Sequence, residues 1–329
     1  MEYPQHNLGL DLVRVTETAA LASARWLGKG DKKSGDQAAV DAMRLSFNSI
    51  NIHGRVIIGE GEKDKAPMLY NGESLGTGTG PSVDVAVDPV EGTNLLAFGR
   101  PNAIAVVGVS PEGTMFNPGS SYYMKKLVVS EAAKNSADIN APVDVNLKNI
   151  AKALNKDVED LMVFVLDKPR HAEMIEQIRK AGARIQLHTD GDVAGALMAI
   201  DPESEIDVMM GTGGTPEGVL SACAIKGLNG EIYTKLDPQS REEAEALKKE
   251  GADLDKVRNV DDLIHSNDVF FAATGISGGT FLSGITYTGK GATTKSLVIR
   301  GKTGTIRYIK SVHNFTKLMK FSSIKYESE

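Results

Sequence analysis

The sequence predicts an α/β fold with mixed sheets in two lobes. Short apolar runs rich in β-branched residues recur along the chain. Amphipathic segments with a helical period lie before and between those runs. From about residue 150 the two kinds of segment alternate regularly, as in βα units whose helices pack on a largely parallel sheet. This change of rhythm predicts an N-terminal lobe at 1–145 and a C-terminal lobe at 146–329.

The first lobe begins with two predicted helices. Residues 10–27 carry one apolar face, and Gly28 supplies a stop signal. The second helix is expected to begin at Ser34, which forms the spacing of a capping box with Gln37. Asp36 would then lie in the first helical turn, where the helix dipole alone could explain a carboxylate. Strands are expected at 55–59, 83–88, 103–109 and 126–129.

The second lobe contains the regular alternation. A segment at 240–265 is also expected to be helical and exposed, because it opens with many charged residues. The other helices are expected at 169–181, 192–200 and 215–226. The strands are expected at 163–166, 184–187, 206–210, 269–274, 296–300 and 306–312.

Composition narrows the function classes. The chain has 329 residues and a formal net charge of −6, so it presents no overall basic character suited to nucleic acid. No apolar run approaches the roughly 20 residues that span a bilayer, and the first thirty residues lack the order of a signal peptide. Cys223 is the single cysteine, so no intrachain disulfide can form. We therefore expect a cytoplasmic protein that binds neither membrane nor nucleic acid.

The most informative segment is the end of the predicted strand at 83–88. Its alternating valines indicate burial, yet Asp88 closes it and Glu91 and Thr93 follow at once. A buried carboxylate must be paired or bound to a metal. Carboxylates suit hard cations, and an adjacent hydroxyl can act as a nucleophile or activate water. The segment therefore predicts a metal-assisted reaction centre.

Other acidic residues also occur at the ends of predicted elements. Besides Asp88 and Glu91, they are Asp36, Glu60, Glu62 and Glu217. Each has an ordinary interpretation: Glu60 and Glu62 as solvated loop residues, and Asp36 and Glu217 as first-turn residues. If they converge, like charges would raise one another's pKa strongly unless divalent cations intervene. Mg²⁺ or Mn²⁺ would suit such a set of oxygen ligands, and no motif argues for zinc.

The run Asp88-Pro89-Val90-Glu91-Gly92-Thr93 resembles the Asp-Pro-(Ile/Leu)-Asp-Gly-Thr signature of the lithium-sensitive, metal-dependent sugar phosphatases. Glutamate at 91 is similar to the bacterial class II fructose-1,6-bisphosphatases within that group. The resemblance extends in order from about residue 10 to about residue 313. Its further motifs are Arg-Val-Thr-Glu at 14–17, Gly-Lys-Gly-Asp-Lys at 28–32, Ile-Gly-Glu-Gly-Glu at 58–62, Lys-Pro-Arg-His at 168–171, Asp-Gly-Asp-Val at 190–193, Gly-Gly-Thr-Pro-Glu-Gly at 213–218 and Ala-Thr-Gly-Ile at 273–276.

The resemblance implies a layered α/β/α/β/α sandwich and one catalytic unit made by both lobes. It implies hydrolysis of the 1-phosphate of fructose 1,6-bisphosphate in gluconeogenesis, with Mn²⁺ or Mg²⁺ as cofactor. The implied catalytic residues are Thr93, as nucleophile or water activator, and Glu62. The metal ligands that it implies are Asp36, Glu60, Asp88, Glu91 and Glu217.

The resemblance also implies a substrate site and a homo-oligomer, either a dimer or a tetramer. Lys168 and Arg170 would hold the second phosphate, whereas a solvated basic turn is the ordinary alternative. Asp190 and Asp192 would contact sugar hydroxyls, with helix capping as their alternative. Tyr122 competes with Tyr123 for the place of the family's tyrosine. The full set of substrate residues implied is Glu91, Gly92, Thr93, Tyr123, Lys168, Pro169, Arg170, Asp190, Gly191, Asp192 and Gly214.

Three alternatives stay open. Within the phosphatase class, the substrate could be sedoheptulose 1,7-bisphosphate or an inositol phosphate. A non-catalytic sensor of sugar phosphates would bind without turnover, although the set Asp88, Glu91 and Thr93 argues against it. The glycine-rich run at 76–80 could suggest nucleotide binding, but it precedes a strand and lacks Gly-Lys-Thr/Ser.

Overall fold

The computed structural model describes residues 7–60 and 68–320. In these two ranges the chain forms thirteen strands. They are β1 (His53–Ile58), β2 (Ser74–Leu75), β3 (Ser82–Glu91), β4 (Ile104–Pro111), β5 (Tyr123–Val129), β6 (Met162–Leu166), β7 (Arg184–His188), β8 (Val208–Gly214), β9 (Glu231–Leu236), β10 (Phe270–Gly275), β11 (Thr286–Thr288), β12 (Gly291–Arg300) and β13 (Thr305–Asn314).

Ten α-helices accompany these strands in the same two ranges. None of the helices described there combines the length and the apolar character needed to cross a membrane. They are α1 (Gly9–Ser23), α2 (Lys32–Phe47), α3 (Thr93–Ala97), α4 (Val143–Leu154), α5 (Ala172–Ala181), α6 (Asp192–Ile200), α7 (Thr215–Gly227), α8 (Arg241–Lys249), α9 (Val260–Leu263) and α10 (Phe315–Leu318).

Two local predictions were wrong. The N-cap of α2 lies three residues earlier than expected, at Asp31 rather than Ser34: the Asp31 carboxylate accepts the Ser34 N–H at 3.0 Å. Asp36 is therefore the fifth residue of the helix and lies beyond its first turn. The segment 240–265 forms only the short helices α8 and α9. Asn259 caps the second of these with a complete capping box.

The first compact unit comprises residues 1–113 and 268–329. Its sheet has the order β11-β12-β10-β4-β3-β1-β2, with β13 paired along β12. The sheet is mixed. Strands β1 and β3 pair in parallel, whereas the pairs β3–β4, β4–β10 and β10–β12 are antiparallel. Helices α1 and α2 pack on one face of this sheet and form the main core with it.

The second compact unit comprises residues 114–267. Its sheet has the order β7-β6-β8-β5-β9. Strands β7, β6 and β8 are parallel to one another, and β5 pairs antiparallel with both β8 and β9. An α/β fold with one mixed sheet in each unit confirms the predicted class. The units divide the chain at 113/114 and 267/268, whereas the sequence suggested lobes that meet at 145/146.

Candidate active site

The end of β3 brings together the acidic residues and the hydroxyl that the sequence singled out. The pairing of β3 with β4 is irregular between Asp88 and Glu91, so the strand bulges where its carboxylates lie. Asp88 is half-buried and its Oδ1 accepts the Val90 N–H at 3.0 Å, while Glu91 is only 3% exposed. Gly92 follows with φ of +87°, which favours glycine. Thr93 then begins helix α3.

Asp36 and Glu60 come from elements that pack against this strand end. Glu60 follows β1, which is parallel to β3 with Ile58 opposite Ala86, so Glu60 and Asp88 lie towards the same end of two neighbouring strands. The Glu60 N–H donates to the Leu69 carbonyl at 2.9 Å. Helix α2, which carries Asp36, packs on both β3 and α3. The expected catalytic residue Glu62 lies outside the described residues.

The chemistry of these donors fits a hard divalent cation, because every one is a carboxylate oxygen. Asp88 and Glu91 lie at one strand end, and burial of Glu91 gives its charge a reason to be neutralised. Among the residues that the structure describes, no group of three or more acidic, histidine or cysteine side chains meets the geometry of a metal site. The ligand set Asp36, Glu60, Asp88, Glu91 and Glu217 therefore stays a prediction.

In the second unit, Lys168 and Arg170 lie at the turn between β6 and α5. Lys168 Nζ forms an ion pair with Asp190 Oδ1 at 3.0 Å. The Arg170 guanidinium lies over the Tyr123 ring, 5.2 Å from its centroid, and its Nε donates to the Thr212 carbonyl at 2.9 Å. Pro169 begins a short 3₁₀ helix between the two cations. Two of the expected substrate residues, Asp190 and Tyr123, are thus linked by contacts to Lys168 or Arg170.

His171, next to Arg170, hydrogen-bonds to β8 at Thr212, the same residue whose carbonyl accepts from Arg170. His171 is 3% exposed; its Nδ1–H donates to the Leu166 carbonyl at 2.7 Å and its Nε2 accepts the Thr212 N–H at 2.8 Å. These two bonds define a neutral imidazole with its proton on Nδ1. Burial lowers the pKa of His171 from its ordinary value, against the smaller opposing effect of the Leu166 carbonyl. His171 therefore fixes the turn that presents both cations.

Asp192 begins helix α6 and is 5% exposed. Its Oδ2 forms a buried ion pair with Lys126 on β5. Gly191 precedes it with φ of +103°, so the backbone turns sharply between Asp190 and Asp192. Asp190 Oδ2 and Asp192 Oδ1 are both buried without a hydrogen-bond partner among the described residues. Oxygens of this kind are available to accept hydrogen bonds from hydroxyl groups.

Glu217 lies in the first turn of α7, and its carboxylate folds back onto Gly214. A Cβ at Gly214 would stand 1.7 Å from Glu217 Oε2, so a larger residue there would have to displace the Glu217 carboxylate. The Tyr123 ring lies under the Arg170 guanidinium, and Tyr122, which directly precedes β5, is 41% exposed. The backbone N–H groups of both tyrosines donate to Glu243 Oε1, at 2.7 and 3.0 Å.

The sequence interpretation missed Lys126, although a signal was available. Met124, Lys126 and Val128 alternate along β5 and share one face of the strand. Because the two apolar members of this set predict a buried face, a lysine between them predicts a buried partner of opposite charge. Glu243 had no such signal, because it belongs to the charge-rich opening of α8.

An α/β fold with carboxylates and a hydroxyl at one strand end, and paired cations and carboxylates at others, is the arrangement of a phosphate-ester hydrolase. The family model described as "Bacterial fructose-1,6-bisphosphatase, glpX-encoded" matches residues 6–313. Fructose-1,6-bisphosphatase 1 class 2 of Escherichia coli K12 is 45% identical over 322 residues, which cover 94% of this chain and 96% of that protein. Fructose-1,6-bisphosphatase class 2 of Shigella flexneri matches to the same extent. The chain belongs to the bacterial class 2 fructose-1,6-bisphosphatase family.

Proposed function

We propose that this protein hydrolyses the 1-phosphate of fructose 1,6-bisphosphate and releases fructose 6-phosphate and phosphate. Family membership over nearly the whole chain supports this activity. The observation that carries it is the end of β3, where Asp88, Glu91 and Thr93 follow one another at a bulge. The family is metal-dependent, and for this chain we propose Mn²⁺ or Mg²⁺.

In the first unit, the proposed metal ligands are Asp36, Glu60, Asp88 and Glu91. When bound, the metal supplies Lewis acidity and neutralises negative charge on the phosphate. Thr93 supplies the hydroxyl that attacks phosphorus or orients the attacking water. Glu62 is proposed as a second catalytic residue. Gly92 and Glu91 complete the backbone that faces the phosphate.

In the second unit, Lys168 and Arg170 are proposed to bind the second phosphate. Both cations are already oriented, Lys168 by Asp190 and Arg170 by Tyr123 and Thr212, so their side chains lose little conformational freedom on binding. The buried oxygens of Asp190 and Asp192 without a described partner support a role as acceptors for sugar hydroxyls. Gly191, Gly214 and Pro169 would shape the same surface.

The wider setting follows from the family and the composition. We propose a cytoplasmic homo-oligomer, dimeric or tetrameric, that acts in gluconeogenesis. The single cysteine, Cys223, is buried, and burial raises its pKa to about 12, so it is a core residue and not a redox group.

Phosphate release from fructose 1,6-bisphosphate, with Mn²⁺ or Mg²⁺ and after chelation, tests the proposal. We expect turnover that disappears with chelator and returns with metal. Sedoheptulose 1,7-bisphosphate and inositol 1-phosphate serve as competing substrates, and a higher kcat/KM for either would replace the proposed substrate. Tight binding of the bisphosphate without any phosphate release would favour a sensor instead.

A further inference from the structure

Lys126 is the most deeply buried charged side chain that no assigned role explains. It lies in the middle of β5, is 1% exposed, and its ammonium forms an ion pair with Asp192 Oδ2. Lysine is almost never fully buried without a partner, and replacing a buried ion pair with apolar residues is often neutral for stability. Stability alone therefore gives little reason for a lysine at this position.

The surroundings of Lys126 are shaped to admit it. Gly211, opposite Lys126 on β8, makes room for His171, whereas Gly213, opposite Met124 on the same strand, makes room for the Asp192 carboxylate. A Cβ at Gly213 would stand 2.0 Å from Asp192 Oδ2. A Cβ at Gly218 would stand 3.1 Å from Lys126 Cε. Gly213 and Gly218 thus leave a channel through which the lysine reaches Asp192.

The path of the lysine links two of the site elements. Helices α6 and α7 both pack on β5. Lys126 contacts Asp192, the first residue of α6. It also passes beside Gly218, which directly follows Glu217 near the start of α7. One side chain therefore lies against the start of both helices.

We propose that Lys126 is a positioning residue for the sugar: it fixes the Asp192 carboxylate so that Oδ1 accepts a hydrogen bond from a substrate hydroxyl. Oδ2 is occupied by the ammonium, and Oδ1 is buried without a partner among the described residues. The Lys126 ammonium is already paired with Asp192 Oδ2, so it acts on the sugar through that carboxylate. This inference rests on the proposed function, because it takes Asp192 as a contact of the sugar.

Replacement of Lys126 by methionine keeps the length of the side chain and removes its charge. We expect KM for fructose 1,6-bisphosphate to rise about 10-fold or more, the effect of losing one charged hydrogen bond to the sugar, while kcat stays within about threefold. Lys226→Met is the matched control, because Lys226 is a largely buried lysine of the same unit that pairs with Asp261 on α9. Its KM should equal that of the wild type.

A double-mutant cycle separates positioning from a merely structural role. We expect Lys126→Met and Lys126→Met/Asp192→Asn to match Asp192→Asn in KM, because both act through one carboxylate. The double variant leaves no lone buried charge and keeps the test valid if Lys126→Met folds poorly. Gly213→Ala, which pushes a methyl group against Asp192 Oδ2, should raise KM in the same way. Effects of Lys126 and Asp192 that multiply, or a fall in kcat with unchanged KM, would overturn the proposal.

The result also distinguishes this inference from the proposed function. Binding of fructose 1,6-bisphosphate is measured by calorimetry beside phosphate release. A wild-type protein that neither binds nor hydrolyses the bisphosphate contradicts both proposals. A wild-type protein that turns it over, with KM unaltered in Lys126→Met, contradicts only the role of Lys126.

Discussion

The two units carry charge at their strand ends in different ways. At the end of β3 in the first unit, Asp88 and Glu91 place two carboxylates within four residues. In the second unit, Asp190 and Asp192 each form an ion pair with a lysine, Lys168 and Lys126. Concentrated negative charge suits an added cation, whereas paired charges form a surface that is already oriented. We therefore propose that the first region carries the chemistry and the second the recognition of the substrate.

Removal of the Thr93 hydroxyl tests the chemical half of this comparison and has the largest expected effect. Thr93→Ala should lower kcat by at least about 100-fold, since the hydroxyl acts in the transition state, while binding of the bisphosphate survives. Phosphate release measures the first quantity and calorimetry the second. Thr303→Ala, at an exposed threonine, should leave both unchanged. Loss of binding in Thr93→Ala would make Thr93 a structural residue of the turn.

Glu91→Gln keeps the shape of the buried side chain and removes its charge. The metal concentration that gives half-maximal activity should rise at least about 10-fold, because even mutations of outer-sphere partners weaken metal sites by 10- to 100-fold. Titration of activity with Mn²⁺ after chelation gives this value. Glu112→Gln, at an exposed loop position, is the control. An unchanged metal dependence would remove Glu91 from the ligand set.

The recognition half is tested at the two cations of the β6–α5 turn. Lys168→Ala and Arg170→Ala should each raise KM for the bisphosphate about 10-fold or more, as expected for a lost charged hydrogen bond to phosphate. KM for fructose 1-phosphate, which lacks the second phosphate, should change much less. Lys180→Ala on the exposed side of α5 provides the matched control. Equal effects on both substrates would contradict a second phosphate site.

The sequence predicted more of the region around β3 than of the region around Lys126 and Asp192. Alternating valines followed by two carboxylates are local signals, and they predicted the strand that became β3. Lys126 and Asp192 are 66 residues apart, so their pairing depends on a topology that no local pattern contains. The prediction of the N-cap of α2 failed for another reason. Asp31 and Ser34 are both residues that cap helices well, and the cap is the one whose side chain reaches a free N–H in the first turn.

The division of the chain shows the same limit. The change of rhythm near residue 145 is real, because the parallel strands β6, β7 and β8 all follow it. Residues 268–329 nevertheless belong to the first unit, since β10 pairs with β4 from Phe270 to Gly275. Strand partners that are distant in sequence leave no trace in hydrophobic periodicity.

The smallest expected effect concerns the stability of the recognition region in acid. The pKa of His171 is lowered in the folded protein, so the unfolded chain binds its proton first as pH falls below the ordinary histidine value of 6.5. The stability that neutral His171 contributes to the folded protein is therefore complete above about pH 6.5. It is lost as pH falls below that value, by about 1.4 kcal/mol for each unit by which the folded pKa lies below the unfolded one. Protonation of Nε2 would also break the bond from the Thr212 N–H.

Melting temperature measured from pH 7.5 to 5.0 tests this dependence. The wild type should lose stability as pH falls through this range, and His171→Gln, although less stable at pH 7.5, should lose less of what remains. His265→Gln is the control, since His265 is exposed and its loss should leave the slope of the wild type. A slope that is the same with and without His171 would show that the turn holding Lys168 and Arg170 does not depend on a neutral imidazole. The two cations would then owe their orientation to Asp190, Tyr123 and Thr212 alone.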